Sequence, residues 1–311
     1  MVTEIHSREA PEGKAPASNG RAYALLTFTS LCWGGNAVLS RFAVGEISPM
    51  ALVTFRWLGV LVLLAVFARR HIKRDWPTLR ENLGFLAAMG ALGFTGFNAL
   101  LYTAAHFTTA INLGIIQGTL PVFVLLGAFL VFRTGTTPLQ FIGVTVTLLG
   151  AVVVATGGSF ERLTSFSLNL GDVMMVAACA LFGGYTVGLR SRPDVSAMSM
   201  FAVLAGAAFL ASLPLLAAEA ALGYFQWPTT SGWLVVAATA VFPSLLGQIG
   251  YINGVEIIGP KRAGVFVNLV PVFAAGLAVA FLAETFALFH ATALALVLGG
   301  IWLSETADDR S

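Results

Sequence analysis

Apolar residues run along this chain in blocks of about twenty, the length one helix needs to cross a hydrocarbon core of roughly 30 Å. The blocks predict helices near 22–44, 49–69, 83–104, 109–132, 138–157, 168–190, 196–219, 231–254, 260–283 and 286–304. Short polar or Gly/Pro-bearing segments separate them: "EISP" at 46–49, "RRHIKRDWPTLREN" at 69–82, "RTGTTP" at 133–138 and "GGSFERLTSFSLNLG" at 157–171. "RSRPD" at 190–194, "GYFQWPTTSG" at 223–232 and "GPKR" at 259–262 complete the punctuation. The pattern predicts an all-α polytopic membrane protein with ten transmembrane helices. Residues 1–20 are polar, lack apolar periodicity and read as a disordered tail, with a second short tail at 306–311.

Composition agrees with this reading. Apolar residues make up 57% of the chain and charged residues 10%, against about 25% charged in soluble domains. The basic residues give the direction of threading. With the N-terminus inside, fourteen of the seventeen Lys and Arg fall in inside segments, Arg162 falls outside, and Arg41 and Arg56 lie within or near spans. Both termini are then cytoplasmic.

The two halves repeat. "CWGGNAV" (32–38) aligns with "LFGGYTV" (181–187) at an offset of 149, and "NLGIIQGTLPVFVLLGAFLVF" (112–132) with "RAGVFVNLVPVFAAGLAVAFL" (262–282) at 150. Five helices per half is an odd number, so the second half threads the bilayer in the opposite sense. The predicted organisation is a first five-helix repeat over 21–157 and an inverted one over 158–305. Inverted repeats are a construction of secondary transporters, whose site lies near the midplane between the halves.

Polar residues inside the spans locate that site. The third span carries Asn98 and Tyr102 on one face, and the eighth carries Ser244, Gln248 and Tyr251; Asn98 and Gln248 are related by the offset of 150. Trp33, Asn36 and Ser40 come from the first span, Tyr185 from the sixth, Gln117 from the fourth and Asn268 from the ninth. Single amides are commonly interhelical hydrogen-bonding groups; their convergence from six helices of both halves indicates a central cavity. Gly34–Gly35 and Gly183–Gly184 permit close helix approach or flexible points. Pro121 and Pro271 are expected to kink the fourth and ninth spans, either as gating hinges or as static bends. Arg41 is near enough to the outer end of its helix to snorkel. Arg56, about 10 Å down the second span, is expected to face protein or water and to mark the outer part of the pathway, holding a carboxylate or tuning passage. Its counterparts in the other half are Ala205 and Gly206, so the charge breaks the symmetry.

Cys32 and Cys179 fall inside spans and read as small core residues. His106 and these cysteines do not assemble a nucleophile–base pair or a metal site, so an intramembrane enzyme is disfavoured and no cofactor or metal is expected. Carboxylates are nearly absent from mid-span, which leaves proton coupling open.

The stretches "CWGGNAVLSRFAVGEISPMALVTFRW" (32–57), "NLGIIQGTLPVF" (112–123), "GDVMMVAACALFGGYTVGLRSR" (171–192), and "GPKRAGVFVNLVPVF" (259–273) with "FLAETF" (281–286) resemble the drug/metabolite transporter superfamily, in particular its ten-helix branch with two EamA-type halves. The resemblance covers about residues 20 to 305. It implies a plasma-membrane carrier, in bacteria an inner-membrane exporter of amino acids and related metabolites working by alternating access, and is strongest toward exporters of aromatic and other neutral amino acids. The acidic residue that the family places after the fourth helix of each half is present as Glu284, whereas the first half has Thr134. The expected partners are a small-molecule substrate and the lipid bilayer, with no nucleic acid. A homodimer through the apolar fourth and fifth, or ninth and tenth, spans is a further expectation; carriage of another metabolite or drug class is the alternative function.

Overall fold

In lipid, a chain satisfies its backbone hydrogen bonds within helices or closed barrels, and this chain does so with helices. The computed structural model describes residues 19–133, 137–159, 161 and 168–308, and no strand occurs among them. The tail through residue 18, Thr134, Arg162 and residues 309–311 lie outside the described residues. In chain order the helices are α1 (Asn19–Phe42), α2 (Pro49–Phe67), α3 (Arg69–Glu81), α4 (Leu83–Ala104), α5 (Ala110–Phe132) and α6 (Pro138–Ala155). They are followed by α7 (Leu170–Ser191), α8 (Ala197–Ala221), α9 (Thr230–Ile258), α10 (Pro260–Val267 with Val270–Leu282) and α11 (Leu288–Asp308).

Hydroxyl and amide side chains start many of these helices where the apolar blocks begin. Thr109, Thr137, Asn169, Ser196 and Thr229 each accept a hydrogen bond from a first-turn backbone N–H, and Thr137 forms a full capping box with Gln140. Each such cap contributes about 1 kcal/mol. Seven of the described helices, α4 to α10, are long and apolar enough to cross a membrane. α2 and α3 form a pair bent by 106°, and α11 is apolar over Leu288–Ser304.

Three local features differ from the sequence expectation. Residues 69–81, read as a connecting segment, form α3, because Ala68, Ile72, Asp75 and Leu79 recur on one inward face. α11 continues to Asp308, past the expected tail boundary at 305. The prolines do not kink continuous helices. α5 breaks at Gly118–Thr119 and α10 at Asn268–Leu269, and Pro121 and Pro271 each occupy the first turn of the segment that follows. A proline there needs no N–H partner. The carbonyls at the two breaks are covered from other helices: Ser30 Oγ donates to Phe266 O at 2.6 Å and Cys179 Sγ to Ile116 O at 3.5 Å.

The same elements recur 150 residues apart. π-helical turns cover Gly90–Gly96 and Ala240–Leu246. The helices ending at Phe132 and Leu282 are closed by left-handed Arg133 and Ala283, with φ of 51° and 52°. α6 and α11 pack against each other to one side. A Cβ at Gly143 would lie 2.5 Å from the Gly300 carbonyl oxygen, while Phe141 and Trp302 stay 70% and 63% exposed, in keeping with lipid contact. Gly143→Val therefore overpacks against backbone that cannot swing aside, costing about 1–3 kcal/mol. It should lower the unfolding temperature in detergent, whereas Gly299→Ala, which enters open space, should leave it unchanged.

Candidate functional site

A central cavity of about 100 Å³ is lined from eight helices. Its polar lining comprises Trp33 and Asn36 of α1, Arg56 of α2, Asn98 of α4, Gln117 of α5, Ser244 and Gln248 of α9, and Asn268 of α10. These are residues that the sequence pattern had brought to one site, and Pro121 joins them. A second cavity, of about 310 Å³, shares Phe94, Phe201 and Gln248 with the first. It extends past Tyr185 and Tyr251 to Leu189, Arg192 and Glu256. Two predicted residues line neither. The Ser40 hydroxyl is fully buried and donates to Ala37 O within its own helix. Tyr102 sits behind the lining with its hydroxyl against Arg56.

Arg56 organises the polar side of the cavity. It is only 5% exposed. Its Nε donates to Ser244 Oγ at 2.7 Å, and its Nη1 donates to Asn98 Oδ1 at 2.6 Å, to Asn36 Oδ1 at 3.3 Å and to the Tyr102 hydroxyl. Those acceptors are themselves oriented. Asn98 Nδ2 donates to Phe94 O, Ser244 Oγ to Thr239 O, and the Tyr102 hydroxyl to Asn36 Oδ1. The two π turns, rare features that recur at functional sites, lie against Asn98 and around Ser244 and so set their aim. All four acceptors are neutral. Among the described residues the salt bridge present is Arg74–Asp75, in α3, which does not line this cavity, so the guanidinium has hydrogen bonds but no counter-charge among them.

The remaining lining is apolar, and its larger side chains are aromatic. Trp57 and Phe94 stack at 4.9 Å with their planes 4° apart, and the Arg56 guanidinium lies 5.2 Å from the Trp57 ring centroid. Phe94 also touches Tyr185 and Phe201, Phe97 touches Phe182, and Trp33 touches Tyr251. Trp57, Phe94, Phe97 and Phe201 were not legible as site residues, because an aromatic in an apolar span carries no sign of which way it faces. Trp57 Nε1 and Gln117 Oε1 are buried without a hydrogen-bond partner, one donor and one acceptor on the residues that line the cavity.

The predicted glycines divide. Gly34 packs with its would-be Cβ 2.9 Å from Ala274 N and Val270 O, and Gly183 likewise 2.6 Å from Phe123 Cβ. Both are points of close helix approach. Gly35 and Gly184 meet nothing closer than 3.7 Å and nothing within 4 Å, respectively. The proline breaks described above place Gln117 and Asn268 at the last residue before, or within, a discontinuity.

One end of the cavity is closed by hydrogen bonds between the first and second halves of the chain. Glu219 accepts from Ser48 Oγ at 2.6 Å and from Met50 N at 3.0 Å, and Glu284 accepts from Ala110 N at 2.8 Å and Ile111 N at 3.0 Å. Asp172 accepts from Thr108 and Asn112, and His290 lies 3.2 Å from Asn112 Oδ1. Arg41, expected to snorkel, donates to the Ala105 carbonyl at the end of α4. His106 is exposed in the connection beside it, its imidazole held below its usual range by desolvation and then by the Arg41 charge.

Removing one acceptor from a buried cation costs about 1.5–3 kcal/mol. Asn98→Ala should therefore lower the stability of the purified protein by that amount in a thermal melt. Gln248→Ala, at the related position but outside the set of acceptors around Arg56, should cost less.

Comparison with known proteins adds to this geometry. The model of the EamA-like transporter family matches residues 20–156 and again residues 169–306. An uncharacterized transporter of Bacillus subtilis, YyaM, is 27% identical over 80% of this chain and 82% of its own length. An uncharacterized transporter of Archaeoglobus fulgidus is 26% identical over 92% and 98%. The uncharacterized inner membrane transporter YedA of Escherichia coli is 24% identical over 88% and 87%. A protein of known crystal structure superposes with a TM-score of 0.61 over 94% of this chain and 100% of its own, at 19% identity, which shows a shared fold.

Proposed function

The chain belongs to the EamA-like transporter family, and we propose that this multi-pass plasma-membrane transporter exports amino acids, aromatic and other neutral ones, with the substrate carboxylate held at Arg56. One observation carries the reading: a buried cation ringed by neutral acceptors faces an aromatic-lined cavity. An unbalanced charge in a low-dielectric site favours an anionic group by about 4 kcal/mol at 4 Å and an effective dielectric of 20, and it repels a cation by as much. Gln117 Oε1, an unpartnered acceptor across the lining, suits the ammonium group. Phe94, Phe97, Phe182 and Trp33 would meet the side chain. The central chamber, at about 100 Å³, falls below the roughly 300–1,000 Å³ of pockets for drug-sized molecules, and the second, at about 310 Å³, reaches only its lower bound, so the space favours a metabolite over a bulky drug.

In this reading α1, α2 and α11 complete ten spans with α4 to α10, both termini are cytoplasmic, and residues 21–157 and 158–305 are inverted repeats. The double family match and the recurrence of elements at 150 residues support that organisation. The closed end carries the connections 43–48, 105–109, 222–229 and 283–287, which the basic-residue count assigns to the outside. The described conformation is then inward-facing, and alternating access requires the Glu219 and Glu284 contacts to part as the opposite end closes.

Counterflow of labelled phenylalanine in proteoliposomes tests the proposal, with competitors that each lack one group. Phenylalanine should compete, and phenethylamine, which lacks the carboxylate, should not. Arg56→Gln should raise KM by about 10- to 150-fold, the value of a charge-assisted hydrogen bond. Equal competition by phenethylamine, or unchanged KM in the variant, would remove Arg56 from substrate binding. If 3-phenylpropanoate competes as well as phenylalanine, the substrate is a simple organic carboxylate.

A further inference from the structure

Helix α3 has no part in the cavity, yet its thirteen residues hold Arg69, Arg70, Lys73, Arg74 and Arg80, all exposed. The bend of 106° after α2 lays the helix across the direction of that span instead of along it. Its inward stripe, Ala68, Ile72, Asp75 and Leu79, is fixed against the protein: Leu79 is fully buried, and Asp75 Oδ2 accepts from Ser196 N, the N-cap of α8, at 2.9 Å. That contact sets the rotation of the helix about its own axis. The adjoining stripe is then Arg69, Lys73, Trp76 and Arg80, at the i, i+4, i+7, i+11 spacing of a single helical face. It holds three cations and an indole that is 47% exposed. An ordinary solvated face has no reason to display a tryptophan among its charges. A membrane interface does, because an indole settles at headgroup depth and cations there attract the anionic lipids of the cytoplasmic leaflet.

We propose that the Arg69–Lys73–Trp76–Arg80 face of α3 is a binding surface for anionic phospholipid headgroups, lying in the membrane interface on the side that the basic residues assign to the cytoplasm. The cations engage lipid phosphates and Trp76 enters the headgroup layer. The remaining basic residues, Arg70 and Arg74, lie around the helix from this face, and Arg74 is engaged with Asp75 at 2.9 Å. Through Asp75 and Ser196 the surface is tied to the start of α8, whose Phe201 lines both chambers. Lipid composition therefore has a physical route to the transport pathway.

The test is quenching of Trp76 by lipids brominated near the headgroup end of the acyl chain, using the full chain in phosphatidylcholine vesicles containing phosphatidylglycerol. Only one of the two lipids is brominated in each sample. Subtracting the signal of Trp76→Phe isolates this residue from the other five tryptophans. The Trp76 signal should be quenched more strongly when phosphatidylglycerol carries the bromine. The preference should fall by about fivefold per cation removed, and so vanish in the triple variant R69Q/K73Q/R80Q, and it should weaken as salt is raised. Equal quenching by the two lipids, a preference that survives the triple variant, or no Trp76 quenching by either lipid would overturn the proposal. The last result would place the face toward the aqueous phase. Because these cations are exposed, the triple variant should elute as wild type does; were it to misassemble, the wild-type and Trp76→Phe comparison still decides between the outcomes.

Discussion

A guanidinium buried among helices of a membrane protein is the constraint around which this structure is arranged. On insertion scales a central arginine costs about 2.5–3.5 kcal/mol, and among the described residues no carboxylate pairs with Arg56 to offset that cost. Four oxygens share the charge instead, drawn from α1, α4 and α9. Each is held by a second hydrogen bond or belongs to a side chain that is so held. The cage accounts for several otherwise unrelated details: the buried amides of Asn36 and Asn98, a phenol beyond the cavity lining, and π turns where regular helix would aim Asn98 and Ser244 differently. A cage of neutral acceptors stabilises the cation without cancelling it. The positive field is thereby left uncancelled, whereas an aspartate partner would have quenched it.

The frame is duplicated and the charge is not. Both halves have the π turn, the two-residue break before a proline helix and the left-handed helix end. Arg56 nevertheless corresponds to Ala205 or Gly206, and Asn98 to Gln248. In the proposed alternating access, near-symmetric walls would let one set of contacts open while its counterpart closes. The single arginine would give a carboxylate substrate one orientation in the proposed cycle. The contacts between the halves run both ways: Glu219, Glu284 and Asp172 of the second half accept from the first, and Glu46 of the first half accepts from Thr229 of the second.

Much of this was legible in the sequence because the relevant signals are periodic. Runs of about twenty apolar residues mark helices, an offset of 150 marks duplication, and amides within apolar runs mark a polar interior. The parts that were not legible lack such a signal. Trp57, Phe94 and Phe201 are aromatics within apolar spans, and burial against protein and exposure to lipid ask for the same residue types. Ser40 and Asn36 stand one helical turn apart, yet the first closes on its own backbone and the second reaches Arg56, a difference set by tertiary contacts. Pro121 and Pro271 foretold a disturbance, but its form, a break with the proline starting the next segment, depends on Ser30 and Cys179 covering the carbonyls. The basic segment 69–82 read as a connection because its charge density hides an inward stripe of only four residues.

The central claim is that the uncompensated charge of Arg56 receives the anionic group of the substrate. A structure of the transporter with bound phenylalanine tests it most directly. The account predicts a carboxylate oxygen about 3 Å from the Arg56 guanidinium, with Asn36 and Asn98 still in place around it and the ring against Phe94. Phenylalanine bound with its carboxylate away from Arg56, and the guanidinium still turned wholly to its four neutral partners, would contradict it.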